Sequence, residues 1–249
     1  MHSDEISSFA SFGDAPVFVF CDHASNAIPP DLNQLGLPDD ILQTHVAWDI
    51  GAAAVGNRVA KYLGGSFLRN EFSRLVVDPN RSPDASDSIP SVSDQIPIPG
   101  NQMLGKEDCA DRVHRFHTPY HRRFAEALDK VCASGDPPFV ASIHTYTKRL
   151  MGAAEDRPWP IGLLWRDDPD TARLVKRALE TGTGWLIGDN EPYDARIFNY
   201  TVDRHIGPRG LRHVTIEVRQ DLVGSDEGAE LVAGHLCKAF ETAMKQQLN

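Results

Sequence analysis

The stretch VFVFCDH, residues 17–23, decides the class of fold. Five apolar residues follow one another without alternation, and an acid and a histidine follow at once. A strand with one wet face would alternate polar and apolar residues. An unbroken run predicts a strand buried on both faces, as in a sheet covered by helices. The same kind of run recurs at VASIH (140–144), IGLLW (161–165) and VTIEV (214–218), and shorter candidates lie at LVVD (75–78) and Trp185–Ile187. Helical patterns separate them. One opens at Pro38-Asp39-Asp40 and runs to about Leu63, with Leu42, Val46, Ile50 and Ala53 on one stripe. A second covers Lys106–Cys132, with Val113, Phe116, Tyr120, Phe124 and Leu128 in line, and two more are predicted at Pro169–Glu180 and Asp226–Gln247. Strands alternating with helices predict a single α/β domain over residues 1–249 with a largely parallel sheet. The Pro-, Ser- and Asp-rich stretch 79–100 departs from this rhythm. It is too long for an ordinary connection, and such loops are commonly functional.

Composition removes several classes. The chain has 249 residues, 25 Lys+Arg against 35 Asp+Glu and a net charge of −10, with 41% hydrophobic residues. That balance is ordinary for a globular protein and wrong for a nucleic-acid binder, which needs a basic surface. No window of about 18 apolar residues exists to span a membrane. The opening residues MHSDEISSF carry acids where a secretory signal carries Lys or Arg, so a cytoplasmic protein is expected. Cys21, Cys109, Cys132 and Cys237 are scattered with no CxxC pair and read as free thiols. No heptad pattern points to a partner chain, and oligomeric state is left open.

The reactive residues collect where the apolar runs end. His23 follows VFVFC, His144 closes VASIH, Asp78 ends LVVD, and Glu217 and Arg219 sit at the end of VTIEV. Ligands of open α/β sheets bind at the carboxyl ends of strands. A lone histidine at a strand end is more often scaffold than ligand; two of them near a carboxylate are a candidate metal site. Asp49 falls on the apolar stripe of its predicted helix, where an unpaired carboxylate is costly. It either pairs with His45, one turn earlier, or faces a cation. Two imidazoles and one carboxylate suit a catalytic zinc ion with one position open, which would acidify a water toward a pKa of ~7 and polarise a carbonyl. Glu217 is the candidate base. Arg74, Arg81 and Arg219 supply fixed charge for a small anionic substrate.

At these residues the chain resembles the N-formylglutamate amidohydrolase family. The likeness is carried by CDHASNAIP (21–29), HVAWDIGA (45–52), FSRLVVDPNR (72–81), SDQIPIPGN (93–101), SIHTY (142–146), GDNEPY (188–193), DRHIG (203–207) and HVTIEVRQDL (213–222). It implies a three-layer α/β/α sandwich of the phosphorylase/hydrolase-like type, related to zinc carboxypeptidases and aspartoacylase. In those relatives an H-x-x-E pair and a distant histidine bind zinc. His23 matches the first ligand and His144 the distant one, Asn80 and Arg81 match a carboxylate clamp, and Glu217 matches the base. Where the relatives carry Glu, three residues after the first histidine, this chain has Asn26. The family pattern is similar in lacking that Glu and has an Asp where Asp49 stands, so Asp49 is the third ligand implied. His205 also matches a family position and stands with Arg74 as a candidate oxyanion donor, or as a substitute ligand. The resemblance further implies that loop 82–101 covers the pocket, with Ser93, Asp94 and Asn101 as substrate contacts. Glu191 in GDNEPY is a rival base. The expected reaction is metal-dependent hydrolysis of an N-acyl amino acid, first N-formyl-L-glutamate to formate and glutamate. The alternatives are a peptidase or deacylase on another small carboxylate substrate, and an inert anion-binding protein that lost a ligand at Asn26.

Overall fold

The computed structural model describes residues 8–197 and 199–246. A seven-stranded sheet forms its centre: β1 (Ser8–Ser11), β2 (Val17–Cys21), β3 (Ser66–Asn70), β6 (Phe139–Tyr146), β7 (Ile161–Leu164), β8 (Ile187–Asp189) and β9 (His213–Arg219), in the order β1-β3-β2-β6-β9-β7-β8. The strands β3, β2, β6 and β9 run parallel, β1 pairs antiparallel to β3 and β7 antiparallel to β9, and β8 is parallel to β7. The mostly parallel sandwich expected from the uninterrupted apolar runs is the one observed. Its layers follow from the side-chain alternation of β2. Val17, Val19 and Cys21 face the cluster that holds Val55, Val59, Leu236 and Phe240. Phe18 and Phe20 face Phe124 edge-on, at 5.3 and 4.8 Å between ring centroids. Helices α2 (Ala52–Tyr62), α5 (Pro169–Thr183) and α7 (Asp226–Lys245) cover the first face, and α4 (Thr118–Cys132) and α6 (Tyr200–His205) the second. Truncating Phe124 to Ala would open a cavity in that layer at a cost of about 3–5 kcal/mol.

Four local readings are corrected. LVVD (75–78) is not a strand but a buried turn. Leu75 packs with Leu35, Val46 and Ile98, and Val76 and Val77 pack with Phe116, so the residues are apolar for packing without a strand partner. The strand of that region is β3, whose SFLRN lacks β-branched residues. The predicted helix 38–63 is broken into α1 (Asp39–Leu42) and α2, because Gly51 sits at φ 83°, outside helical space, with its backbone against Val223. Residues 43–51, with His45 and Asp49, are therefore a connection. The helix read over 106–132 is continuous but contains α3 (Lys106–Arg112), a π turn over Val113–His117 and then α4. Finally, β8 begins at Ile187 rather than Trp185. The predicted end of the last helix, Gln247, lies outside the described residues. No helix among those residues is long and apolar enough to cross a membrane. Two short strands, β4 (Val92–Ser93) and β5 (Ile96–Pro97), form a separate hairpin within the Pro-rich loop.

Candidate metal and substrate site

The parallel strands deliver their carboxyl ends to one edge, and the site is built there. His23 follows β2, His144 lies on β6, and Glu217 on β9 stands directly beside His144 in register. Asp49 reaches the same place from its loop: its backbone N–H donates to the His23 carbonyl at 2.9 Å, which hooks the connection 43–51 over the end of β2. One donor atom from each of His23, Asp49 and His144 lies within 4.8 Å of the other two. Nδ1 of His144 is 2.9 Å and Nδ1 of His23 is 3.4 Å from the same Asp49 oxygen, Oδ2. All three residues are buried.

Each imidazole turns its other nitrogen to a further carboxylate. Nε2 of His23 is 2.8 Å from Asp78, and Nε2 of His144 is 3.7 Å from Asp22. At His23, a hydrogen held on Nε2 by Asp78 leaves the Nδ1 lone pair toward Asp49, the arrangement that fixes a metal-binding tautomer. Nδ1 of His23 is buried with no hydrogen-bond partner among the described residues, as are Nε2 of His144, Oδ2 of Asp22 and Oε2 of Glu217. Unsatisfied buried polar atoms are costly and call for a ligand. The donor set fits a divalent cation. Asn26 does not belong to it, because its amide donates to the Leu42 carbonyl at 2.9 Å.

The charges around this centre act on one another. Burial pushes Asp49 up, but His23 and His144 outweigh it and hold the carboxyl well below the usual range. Asp78 is likewise raised by burial and pulled down further by His23 and Arg74. Burial lowers His144, and the flanking Asp22 and Asp49 more than reverse that. Among the described residues no cation forms an ion pair with Glu217. Burial pushes it up to about 7, with Asp49 adding to the effect and His144 opposing it. A carboxyl poised near neutrality at a cavity wall suits general acid–base work.

The cavity measures about 180 Å³ and is lined by the triad, Glu217, Arg74, Asn80, Arg81, Thr145, Leu164, Tyr193, Asn199 and Thr215. Arg74 bridges Asp78 at 2.9 Å and Asp49 at 3.4 Å. Arg81 holds Asp87 at 2.8 Å and its own neighbour's carbonyl, Asn80, at 3.0 Å. Glu191 and Pro192, which lead into Tyr193, pass over Gly162, where any side chain would strike the Glu191 carbonyl; the Tyr193 hydroxyl accepts from Arg157 at 3.0 Å.

Six sequence-derived candidates are placed elsewhere. Arg219 pairs with Asp221 at 2.7 Å and does not line the cavity. Asn101 is a buried staple: its amide donates to the Leu75 and Pro90 carbonyls, and its oxygen accepts from Arg112. Asp94 accepts from His45 at 2.8 Å, so His45 is not the partner of Asp49. Ser93 lies beside Asp94 in the hairpin and lines no part of the cavity. His205 lies under the sheet, 2.9 Å from His121 and stacked on Phe124. Glu191 is exposed and does not line the cavity. Loop 82–101 contributes nothing to the lining. It braces the turn 75–78 through Ile98 and Asn101 instead. Sequence reasoning missed Asp22, Tyr193, Asn199 and Thr215. Of these only Asp22 carried a signal, as an acid directly beside a strand-end histidine.

Comparison with known proteins places this arrangement. The chain superposes on a gene product of Agrobacterium tumefaciens of known crystal structure with a TM-score of 0.91 and 30% identity, over 97% of this chain and 96% of that one. An N-formylglutamate amidohydrolase from Ralstonia eutropha shares the fold at a TM-score of 0.71 and 17% identity, over 96% and 97% of the two chains. No curated protein sequence matches the chain. The sequence pattern of a family described as N-formylglutamate amidohydrolase matches residues 15–223. With that match spanning most of the sequence, the chain belongs to the N-formylglutamate amidohydrolase family.

Proposed function

We propose that the protein is a metal-dependent amide hydrolase acting on an N-acyl amino acid, with N-formyl-L-glutamate as the first substrate. The observation that carries this reading is the facing pair: a buried His23–Asp49–His144 donor set and, beside it, Glu217 raised to about 7 with an unpartnered oxygen. A divalent ion such as zinc, held by those three side chains, would supply a Lewis acid that polarises the acyl carbonyl and acidifies a water. The chain's own groups do the rest. Asn80 and Arg81 bind the substrate carboxylate. Asn80 Oδ1 is held by the Thr201 N–H at 3.0 Å, so its Nδ2 is the end left for the ligand. Ionised Glu217 takes the proton of the attacking water and returns it to the leaving amine. The C–N bond breaks, and formate and glutamate result. Arg74, fixed between Asp49 and Asp78, places positive charge beside the developing oxyanion. Thr145 donates its backbone N–H to Asp49 at 3.3 Å and keeps that carboxylate aimed.

An inert binder left by the loss of a ligand at Asn26 is disfavoured, since Asp49 fills the donor set without it. The test is formate release from N-formyl-L-glutamate by the purified protein, with and without a chelator. Release that stops on chelation and returns with added zinc is expected. Unchanged release in chelator overturns metal dependence, and no release from any N-acyl amino acid overturns the hydrolase reading.

A further inference from the structure

Asn199 stands at the position before α6 where an Asn side chain ordinarily accepts from an N–H two or three residues on. It makes no such bond. The N–H two residues on, that of Thr201, is taken instead by Asn80 Oδ1. One asparagine thus caps the helix of another, and Asn199 is released from the structural duty its place implies. It is 5% exposed and lines the cavity. Its side-chain hydrogen bond is to Thr215, whose hydroxyl donates to Asn199 Oδ1 at 3.2 Å. Thr215 is fully buried and precedes Glu217 by two residues on β9, so it shares the face that carries the base. With the oxygen held by Thr215, the NH₂ of Asn199 is the group left for a ligand.

Asn80 has the same logic, its oxygen spent on Thr201, and the guanidinium of Arg81 carries donors only. Asn80 and Asn199 are tied to the same end of α6, with Arg81 next to Asn80 on the cavity wall. This corner of the cavity therefore offers donors. We propose that Asn80 and Arg81 hold the side-chain carboxylate of the substrate, that Asn199 is a further substrate-contacting residue whose Nδ2 donates to that same carboxylate, and that it selects an acidic end group over the corresponding amide. A carboxylate accepts at every lone pair. An amide brings its own NH₂ donor, which would meet donors and be left unpaired, the kind of mismatch that rejects a ligand strongly. The inference rests on the reading of Asn80 and Arg81 as a carboxylate clamp.

The test measures binding of L-glutamate and L-glutamine to the full chain by titration calorimetry, because neither is turned over. The wild-type protein binds L-glutamate more tightly. Asn199→Ala weakens L-glutamate about tenfold or more and L-glutamine far less, as expected for losing a hydrogen bond to a charged group. Asn199→Asp reverses the preference, and Thr215→Val, which frees the amide to turn, falls between. Asn199→Ala loses no capping bond but does leave the buried Thr215 hydroxyl without its acceptor, so its thermal midpoint falls moderately and the titrations are run well below it, where the variant is folded. Equal affinity of wild type and Asn199→Ala, equal weakening of both ligands, or a wild type that binds neither ligand overturns the proposal. Formate release is read in parallel. Asn199-dependent glutamate binding without formate release sinks the hydrolase reading and leaves Asn199 standing.

Discussion

Two pairs of histidines are buried in the molecule, one at the carboxyl edge of the sheet and one against α4 and α6, and they differ in what surrounds them. In the cavity, His23 and His144 have ring centroids 5.0 Å apart and tilted by 68°. Under the sheet, His121 and His205 are 5.1 Å apart and stacked at 19°. The first pair is ringed by Asp22, Asp49 and Asp78, and those carboxylates raise both imidazoles against the effect of burial. Among the described residues no carboxylate is in hydrogen-bond contact with the second pair. His121 donates to the Pro79 carbonyl through Nε2 at 2.9 Å and meets Nε2 of His205 through Nδ1, a relay that a neutral ring at His121 satisfies. Burial, with His117 and His205 adding, brings His121 down to about 3, and burial with Arg204 and Arg209 brings His205 down to about 4. A buried histidine becomes a candidate ligand through the acids around it, and otherwise it is a neutral strut.

The largest expected effect tests the acid that completes the cavity pair. Glu217→Gln keeps the shape of the wall and removes the base. Turnover should fall about a hundred- to ten-thousand-fold with metal content unchanged, measured by formate release and by elemental analysis of the same sample. Loss of metal together with activity would assign Glu217 to the donor set instead.

The second effect belongs to the neutral pair. The folded protein binds fewer protons at His121 and His205 than the unfolded chain, whose histidines titrate near 6.5. The stability that depends on these two neutral rings is therefore full above about pH 6.5 and declines as pH falls toward 4. Holding His205 neutral down to about 4 corresponds to about 3 kcal/mol over that window. Urea unfolding between pH 7 and pH 4 checks it. The decline should shrink in His205→Phe, which keeps the stack on Phe124 and removes one proton site. A slope unchanged by that substitution would place the acid sensitivity elsewhere.

Legibility in the sequence follows the same division. The strands β2, β6 and β9 were readable because a strand buried on both faces writes itself as an unbroken apolar run, and the residues closing those runs were His23, His144 and Glu217. What was not readable depended on partners distant in the chain. LVVD has the composition of a strand, and only the absence of a neighbour to pair with makes it a turn. The helical stripe through Val46 and Ile50 continues on paper past Asp49, while Gly51, held in left-handed backbone against Val223, stops it in space. His205 and Asn101 are polar residues inside well-matched motifs, and sequence cannot say that the first is a strut under α4 or that the second staples a turn. Asn199 was invisible for a sharper reason: its place before a helix advertises a cap, and the structure gives that work to Asn80.

The third prediction addresses what makes the cavity histidines differ from the struts. Asp78→Asn preserves size and removes the charge that holds Nε2 of His23. Metal affinity should fall about 10–100-fold, read by competition with a chromogenic chelator. Arg74 would also lose its 2.9 Å partner, so the effect includes some loosening of the guanidinium. Affinity equal to wild type would mean that burial alone orients His23.

The smallest effect concerns arginine, where the same rule about neighbours applies. Arg74 and Arg219 are both near residues of the site in sequence, Arg219 only two positions after Glu217. Arg74 stands between two buried carboxylates in the cavity, whereas Arg219 forms a bridge to Asp221, which is 43% exposed. An exposed ion pair contributes little, typically under about 1 kcal/mol. Arg219→Ala should therefore change kcat/KM less than about twofold and the urea midpoint only slightly. Arg219 also touches the carbonyls of Arg157 and Pro158 at 3.5 Å, and Arg157 is the residue that holds the Tyr193 hydroxyl. If Arg219→Ala raised KM several-fold without lowering stability, its influence would run through that contact to Tyr193 and the cavity wall, and the line drawn between lining and surface arginines would have to move.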